Sequence, residues 1–431
     1  MTVSSYGSDN GNHIPILDGI RYFYSKIENC NFVPRLEITM TDPVILPFLQ
    51  TAAEKAMDKY RIFRCVVKSN EHEYYLTDNN RQPVVHVDDE TRHTIGTEDN
   101  NGHIIWIGIN ERIIVIEFFH GLSDMHGTLP FAESLLLHYC QLRYGTSTED
   151  TASDNRLQEH VSEYIDSMTY VDESQKYPVP KRKPTAFQLP EERMDDANAC
   201  ARYSLTVDAP AFDAFMRQNR SSRTSVFTVF MNHAIASVHP DYDFPIIAGV
   251  AVDIRKILGA ENSLRDCTDT IYLPFDRDLA VLPVDQQLQT VRQMIVDGME
   301  PATRLANAVS TKLNNTRLTK MFPLLEEKIR FCRRLHQYSH LNLTYTISNV
   351  GLVDFAEALD PYIACVHSVM GASTCPIIIE VVQYKQQYHI TYCSRLKNDP
   401  YIHAFQQCFL QTGIPCQCKQ HKDFSEALAI F

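Results

Sequence analysis

A chain of 431 residues is too long for one ordinary hydrophobic core and implies two or three domains or one large double domain. Apolar residues make up 44% and charged residues 22%, a globular balance that excludes disorder as the default. The formal net charge of −13 repels phosphate backbones, so no nucleic-acid partner is expected, although a local basic patch could hold a small anionic ligand.

The 12 cysteines form no C-x-x-C pair, and the closest two are Cys416 and Cys418. Reduced thiols fit this better than a disulfide framework. Met1 to Asn12 is polar, and no apolar run approaches the roughly 18 residues of a membrane helix. The expectation is a cytoplasmic chain with no transmembrane segment.

In chain order, Leu46, Leu49, Ala53, Ala56, Met57 and Tyr60 recur at helical spacing and predict a helix from Pro43 to Tyr60. Strands are predicted over Ile62 to Lys68, Glu73 to Leu76, Pro83 to Val87 and Ile104 to Ile109. Ile113 to Phe119 is apolar except for Glu117, a run expected to be buried on both faces. It leads directly into His120-Gly121-Leu122-Ser123-Asp124. A helix is predicted from Leu129 to Leu142, with Pro130 in its first turn and Glu133 near its positive end.

From Thr146 to Ala199 the pattern weakens. Pro178, Pro180, Pro184 and Pro190 surround the basic run Lys181-Arg182-Lys183, which reads as a connecting segment. Beyond it come a strand over Arg202 to Val207 and a helix over Thr224 to His239 with Thr224 near its cap. A buried strand over Pro245 to Val252 ends in Asp253-Ile254-Arg255. Helical patterns fill Val284 to Leu313. Leu341 to Ser348 alternates, putting Asn342, Thr344, Thr346 and Ser348 on one face. Pro376 to Tyr384 and Tyr388 to Leu396 form a hairpin around Gln386, and a last helix runs from Asp399 to Thr412. The expected division is 1–175, a connector 176–200, and 201–431.

A histidine that follows a buried strand and opens a loop has a fixed backbone and a ring free to reach a cavity. Imidazole titrates near neutrality, so His120 is a candidate general base. Asp124 either orients the ring or pins the loop. Two other readings start from the same loop. His120, Asp124 and His126 are the residue types of a two-His, one-carboxylate metal site, but their order and the helix-rich context do not match one. Gly121-Leu122-Ser123 begins like a nucleophile elbow, but Met125 stands where its second Gly belongs.

Phe119-His120-Gly121-Leu122-Ser123-Asp124, then Gly127 and the helix through Phe131 and Leu135, resemble the active-site segment of the chloramphenicol acetyltransferase-like superfamily. Thr224 to Val238, Val250-Ala251-Val252-Asp253-Ile254-Arg255 and Ile347-Ser348-Asn349-Val350-Gly351 resemble later family segments, in family order and across most of the chain. The resemblance implies an α/β fold with mixed sheets, built as two similar halves with a tunnel between them. It implies an acyltransferase that moves an acyl group from a pantetheine thioester to an alcohol or amine. The co-substrate would be acyl-coenzyme A or an acyl-carrier protein, with no permanently bound cofactor and no metal.

His120 would be the base, and Asp124 would pair with Arg255 to support the loop, a pair able to be bidentate. Gly121, Ser123, Met125, His126 and Gly127, with Ser348 and Asn349, are the candidates for substrate binding. Three departures stand out: Met125 replaces the Gly after the Asp, Asp253 replaces an Asn, and Phe119 replaces the first of the two His residues usual in condensation domains. The Asp-Phe-Gly-Trp-Gly signature of the plant branch is missing. The alcohol-acetyltransferase and condensation-domain branch fits best. A non-catalytic relative of the same fold is the alternative, motivated by Met125 and Asp253.

Overall fold

The structure is a computed structural model that describes residues 13–16, 20–27, 30–89, 92–146, 167–172, 174, 184–196, 198–373 and 375–431. The run Lys181-Arg182-Lys183 lies outside the described residues. The strands that build the two large sheets are, in chain order, β1 (Arg35–Met40), β2 (Val85–Val87), β3 (Ile105–Asn110), β4 (Ile113–Phe118), β5 (Ala199–Asp208) and β6 (Ile246–Asp253). They continue with β7 (Thr268–Phe275), β8 (Tyr345–Leu352), β9 (Ile363–Val369), β10 (Ile377–Tyr384), β11 (Gln387–Ser394) and β12 (Cys416–Gln420). The main helices are α1 (Ile20–Ser25), α2 (Leu46–Lys59), α3 (Met125–Tyr144), α4 (Ala209–Gln218), α5 (Arg223–Val238), α6 (Val284–Gly298), α7 (Pro301–Met321), α8 (Leu325–Gln337) and α9 (Tyr401–Gln411).

The first sheet has the order β9-β1-β4-β3-β2 and the second β7-β6-β8-β10-β11-β5-β12. Both are mixed: β2 runs parallel to β3, β8 runs parallel to β6 and β10, and the other pairs are antiparallel. Strand β9 belongs to the later part of the chain, yet it pairs with β1 in the first sheet. A cut of the sequence at 201 therefore does not separate the two sheets.

Two cores fill the layers. In the first, Leu49, Ala52, Ala53, Ala56 and Met57 of α2 pack with Phe131, Leu135 and Leu136 of α3 over the first sheet. In the second, Phe227, Phe230 and Met231 of α5 and Phe405 and Phe409 of α9 cover the second sheet. The polar break in β4, Glu117, is buried because it is paired: its carboxylate takes Arg35 Nη1 at 3.0 Å and His93 Nδ1 at 2.8 Å. Arg35 also holds Glu37 and Asp88. Glu37 in turn receives a two-pronged bond from Arg202 of β5, at 2.9 and 2.5 Å, so the charge network crosses between the sheets.

Three local expectations are corrected. Arg61–Arg64 is a 3-10 turn, and the strand there begins only at Val66. Helix α3 starts at Met125, so Pro130 lies inside it and Glu133 lies past its first turn, where its Oε1 accepts from Ala356 N at 2.7 Å. The helical patterns read over Val284 to Leu313 are present as two helices, with Pro301 opening α7, which runs on to Met321. Asn342 sits in a 3-10 turn, and the alternating strand begins at Tyr345. Helices α4 and α8 go beyond the sequence reading. No helix among the described residues is long and apolar enough to cross a membrane, and the 12 cysteines are free thiols.

Candidate active site

The end of β4 fixes the backbone of the His120 loop. Phe119 N donates to Ile104 O at 2.9 Å, His120 N to Phe32 O at 2.7 Å, and Leu122 N to Phe119 O at 2.8 Å. Gly121 is required by close packing, since a Cβ there would lie 2.5 Å from the rings of Phe119 and Phe23. The chain then turns into α3, with Asp124 as its N-cap accepting from Gly127 N at 2.8 Å.

Asp124 is buried and does not bond the His120 Nδ1. Its Oδ1 also takes Arg255 Nη2 at 2.7 Å, and its Oδ2 takes Cys267 N at 2.9 Å. Burial alone would push the carboxyl up, but the Arg255 charge and hydrogen bond, with the N–H groups of Cys267 and Gly127, outweigh it and hold the pKa below the usual value. The contact with Arg255 is through one nitrogen and is not the bidentate pair. The rest of the guanidinium is spent on Ser263 O at 2.9 Å, Arg265 O at 2.7 Å and Asp253 Oδ1 at 3.0 Å. Asp253 therefore shares Arg255 with Asp124 and does not displace it.

The His120 ring stacks on Tyr22, with centroids 4.5 Å apart and planes 14° apart. Its buried Nδ1 has no hydrogen-bond partner, and Asp266 Oδ1 lies 3.9 Å away. Asp266 is itself held by Thr268 N at 3.0 Å and Arg21 Nη2 at 3.2 Å, and Arg21 also bonds the Tyr22 hydroxyl at 2.6 Å. Arg21, Tyr22 and Asp266 escape the sequence reading, because no motif or spacing joins positions so far apart.

His120 opens onto a cavity of about 600 Å³ lined by both parts of the chain. Met125, His126, Ser348 and Asn349 line it, as do Thr346 and Glu380. Leu318 of α7 and Phe331 and Leu335 of α8 also line it, together with Asn314, Asn315 and His336. Gly121, Ser123 and Gly127 are corrected: they do not line the cavity. The Ser123 hydroxyl is buried and donates to Leu264 O at 2.6 Å, so it is no exposed nucleophile. A Cβ on Gly127 would meet Leu264 O at 2.2 Å, so this glycine lets α3 seat against the Leu264 backbone. Thr344 is also turned away, its hydroxyl bonded to Phe187 O at 2.8 Å and receiving Ile247 N at 3.0 Å. Asn349 is fastened to the Thr224 hydroxyl at 3.1 Å, while Ser222 is the actual cap of α5.

The ligand atoms of His120, Asp124 and His126 do not converge. Among the described residues, those that converge within 4.8 Å belong to Asp88, Asp89 and His93. Asp88 there already engages Arg35.

No protein-family model matches the sequence, and no curated protein sequence matches it. Solved structures do match in fold. F. graminearum TRI101 complexed with coenzyme A and deoxynivalenol has a TM-score of 0.62 at 12% identity, covering 92% of this chain and 96% of that one. Polyketide synthase associated protein 5 from Mycobacterium tuberculosis gives 0.58 at 12% identity, covering 93% and 97%. A variant of the starter condensation domain of rhizomide synthetase RzmA in complex with C8-CoA gives 0.58 at 13% identity, covering 93% of each chain.

Proposed function

On the premise that the chain has the fold of the chloramphenicol acetyltransferase-like, coenzyme A-dependent acyltransferase superfamily, we propose that it transfers an acyl group from a pantetheine thioester to an alcohol or amine. The observation that carries this reading is the position of His120 on the wall of the shared cavity, with Asp266 behind its Nδ1. A carboxylate on that side favours the tautomer with the proton on Nδ1, which leaves the Nε2 lone pair for the acceptor. It also stabilises the imidazolium once the proton arrives.

The acceptor hydroxyl or amine gives its proton to Nε2 while its lone pair attacks the thioester carbonyl. The tetrahedral oxyanion collapses, the C–S bond breaks, and the thiolate recovers the proton from Nε2. A thiol with a pKa of about 8.5 needs little acid help to leave. Thr346 lines the cavity and is a candidate donor to the oxyanion. The apolar side chains of Leu318, Phe331 and Leu335 on the cavity wall suit an acyl chain. Transfer is direct, because Ser123 is spent on Leu264 and a base aimed at the acceptor removes the need for an acyl-enzyme.

The donor is coenzyme A or a carrier protein. Thiol release from a panel of acyl-coenzyme A donors, with and without simple alcohols and amines, tests the reading. Acceptor-dependent release lost in His120→Ala supports it. No release with any donor, coenzyme A or carrier-bound, leaves a non-catalytic relative of the same fold.

A further inference from the structure

The carboxyls on the cavity wall differ in how they are held. Asp124 and Asp253 both engage Arg255. Glu380 on β10 is only 6% exposed and is held by neutral groups instead. The Ser368 hydroxyl of β9 donates to its Oε2 at 2.9 Å, and Ser348, its register partner on β8, supplies a second hydroxyl. The alternation of β10 turns Ile378 and Glu380 to the cavity, beside Thr346 and Ser348 of β8. Among the described residues lining the cavity there is no lysine, and the single guanidinium, Arg21, is engaged by Asp266.

A buried carboxylate without a cation is costly, and an apolar or amide side chain would fill this site more cheaply. Burial pushes the Glu380 carboxyl up to about 7, with the two serines opposing it. Ionisation there becomes favourable when a countercharge arrives from outside. A neutral donor would add one hydrogen bond. An ammonium group would add the bond and the charge, in a site where water does not screen them.

We propose that Glu380 anchors a cationic amine on the acceptor, so that the acceptor is a molecule carrying its nucleophilic hydroxyl or amine at His120 and a second, protonated amine at Glu380. This deepens and rests on the acyltransferase reading of the same cavity. The two serines set the direction of the carboxylate, and the strand register sets its place on the wall. The separation of the two acceptor groups is then a selected length.

The test uses the full chain, the best acyl-coenzyme A donor, and a ladder of linear amino alcohols of increasing length. Each is matched to the alkanol in which a methyl group replaces the ammonium. In the wild type the kcat/KM ratio of amino alcohol to alkanol should exceed one and peak at one chain length. Glu380→Gln should lower that ratio by about 10-fold or more, because its amide still accepts from the serines but carries no charge. Glu380→Asp, with the carboxylate drawn back, should move the peak to a longer amino alcohol. A ratio unchanged in Glu380→Gln, or a wild type that prefers the alkanol at every length, overturns the proposal. A second measurement needs no turnover. At matched ionic strength, the amino alcohol at the preferred length should raise the wild-type Tm more than its alkanol does, and Glu380→Gln should erase the difference. If no acceptor is acylated, the acyltransferase reading fails by itself, and this melting comparison across the ladder decides the anchor: equal shifts in both proteins overturn it.

Discussion

Asp124 and Arg255 stand 131 positions apart in the chain and meet at 2.7 Å in the interior. The same carboxylate caps α3 through Gly127 N and takes Cys267 N from the segment that carries Asp266. One buried side chain thus ties the His120 loop to the carboxylate behind the His120 ring. Removing the Arg255 charge strands the Asp124 carboxylate, and removing the Asp124 charge leaves Arg255 with the part-exposed Asp253 alone. Asp124→Asn and Arg255→Ala should each cost about 3–5 kcal/mol in urea unfolding and lower activity in parallel. The double variant should lose much less than the two losses added. Strict additivity would mean that Asp124 acts through its other partners.

His120 itself bears little structure beyond its stack on Tyr22. His120→Ala should melt close to the wild type while turnover falls by roughly two to four orders of magnitude. Asp266→Asn should lower kcat by about 10- to 100-fold with little change in KM, since it acts on the ring and not on the substrate. A raised KM with unchanged kcat would move Asp266 from positioning to binding.

Ser123 offers a control on the chemistry. Its hydroxyl bond to the Leu264 carbonyl is buried, so Ser123→Ala should cost about 1 kcal/mol and keep most of the turnover. Intact-mass spectra after incubation with donor alone should show unmodified protein. A stable acyl adduct that passes to acceptor would remove direct transfer.

The Glu37–Arg202 pair predicts acid sensitivity. Burial raises the Glu37 carboxyl, but Arg202 and then Arg35 outweigh this and hold it far below the usual carboxylate range. A depressed folded pKa contributes stability above the unfolded value of about 4.3, and that stability is lost as pH falls further. Urea unfolding should therefore weaken steeply below about pH 4. Arg202→Met should be less stable at neutral pH and show a shallower acid slope. Equal slopes would place the acid-labile groups elsewhere.

Glu380 gives the opposite sign. Its folded pKa, raised to about 7 by burial, contributes stability below the unfolded value that is lost as pH rises through 7. Glu380→Gln removes this one contribution. Between about pH 4.5 and 8 the wild type should lose about 3 kcal/mol relative to the variant. A constant difference across that range would show that Glu380 does not change protonation there.

The sequence by itself determined the local scaffold of the site. The apolar run of β4 and the helical stripe of α3 are periodic over neighbouring residues, and those periods locate the loop that carries His120. It also marked Asp124, Arg255, Ser348 and Asn349 through resemblance to a family; Asp124, Ser348 and Asn349 line one cavity, and Arg255 bonds Asp124. Only the tertiary structure decided that Ser123 and Gly127 pack against Leu264, that Glu117 is buried because Arg35 and His93 meet it, and that Arg21, Tyr22 and Asp266 surround the His120 ring. It also decided that β9 crosses to the first sheet and brings Ser368 to Glu380. The reason is physical. Periodicity and capping depend on residues a few positions apart, whereas these contacts close loops of very different length. Which distant strands pair is set by burial of the whole chain, and no short window of sequence encodes it.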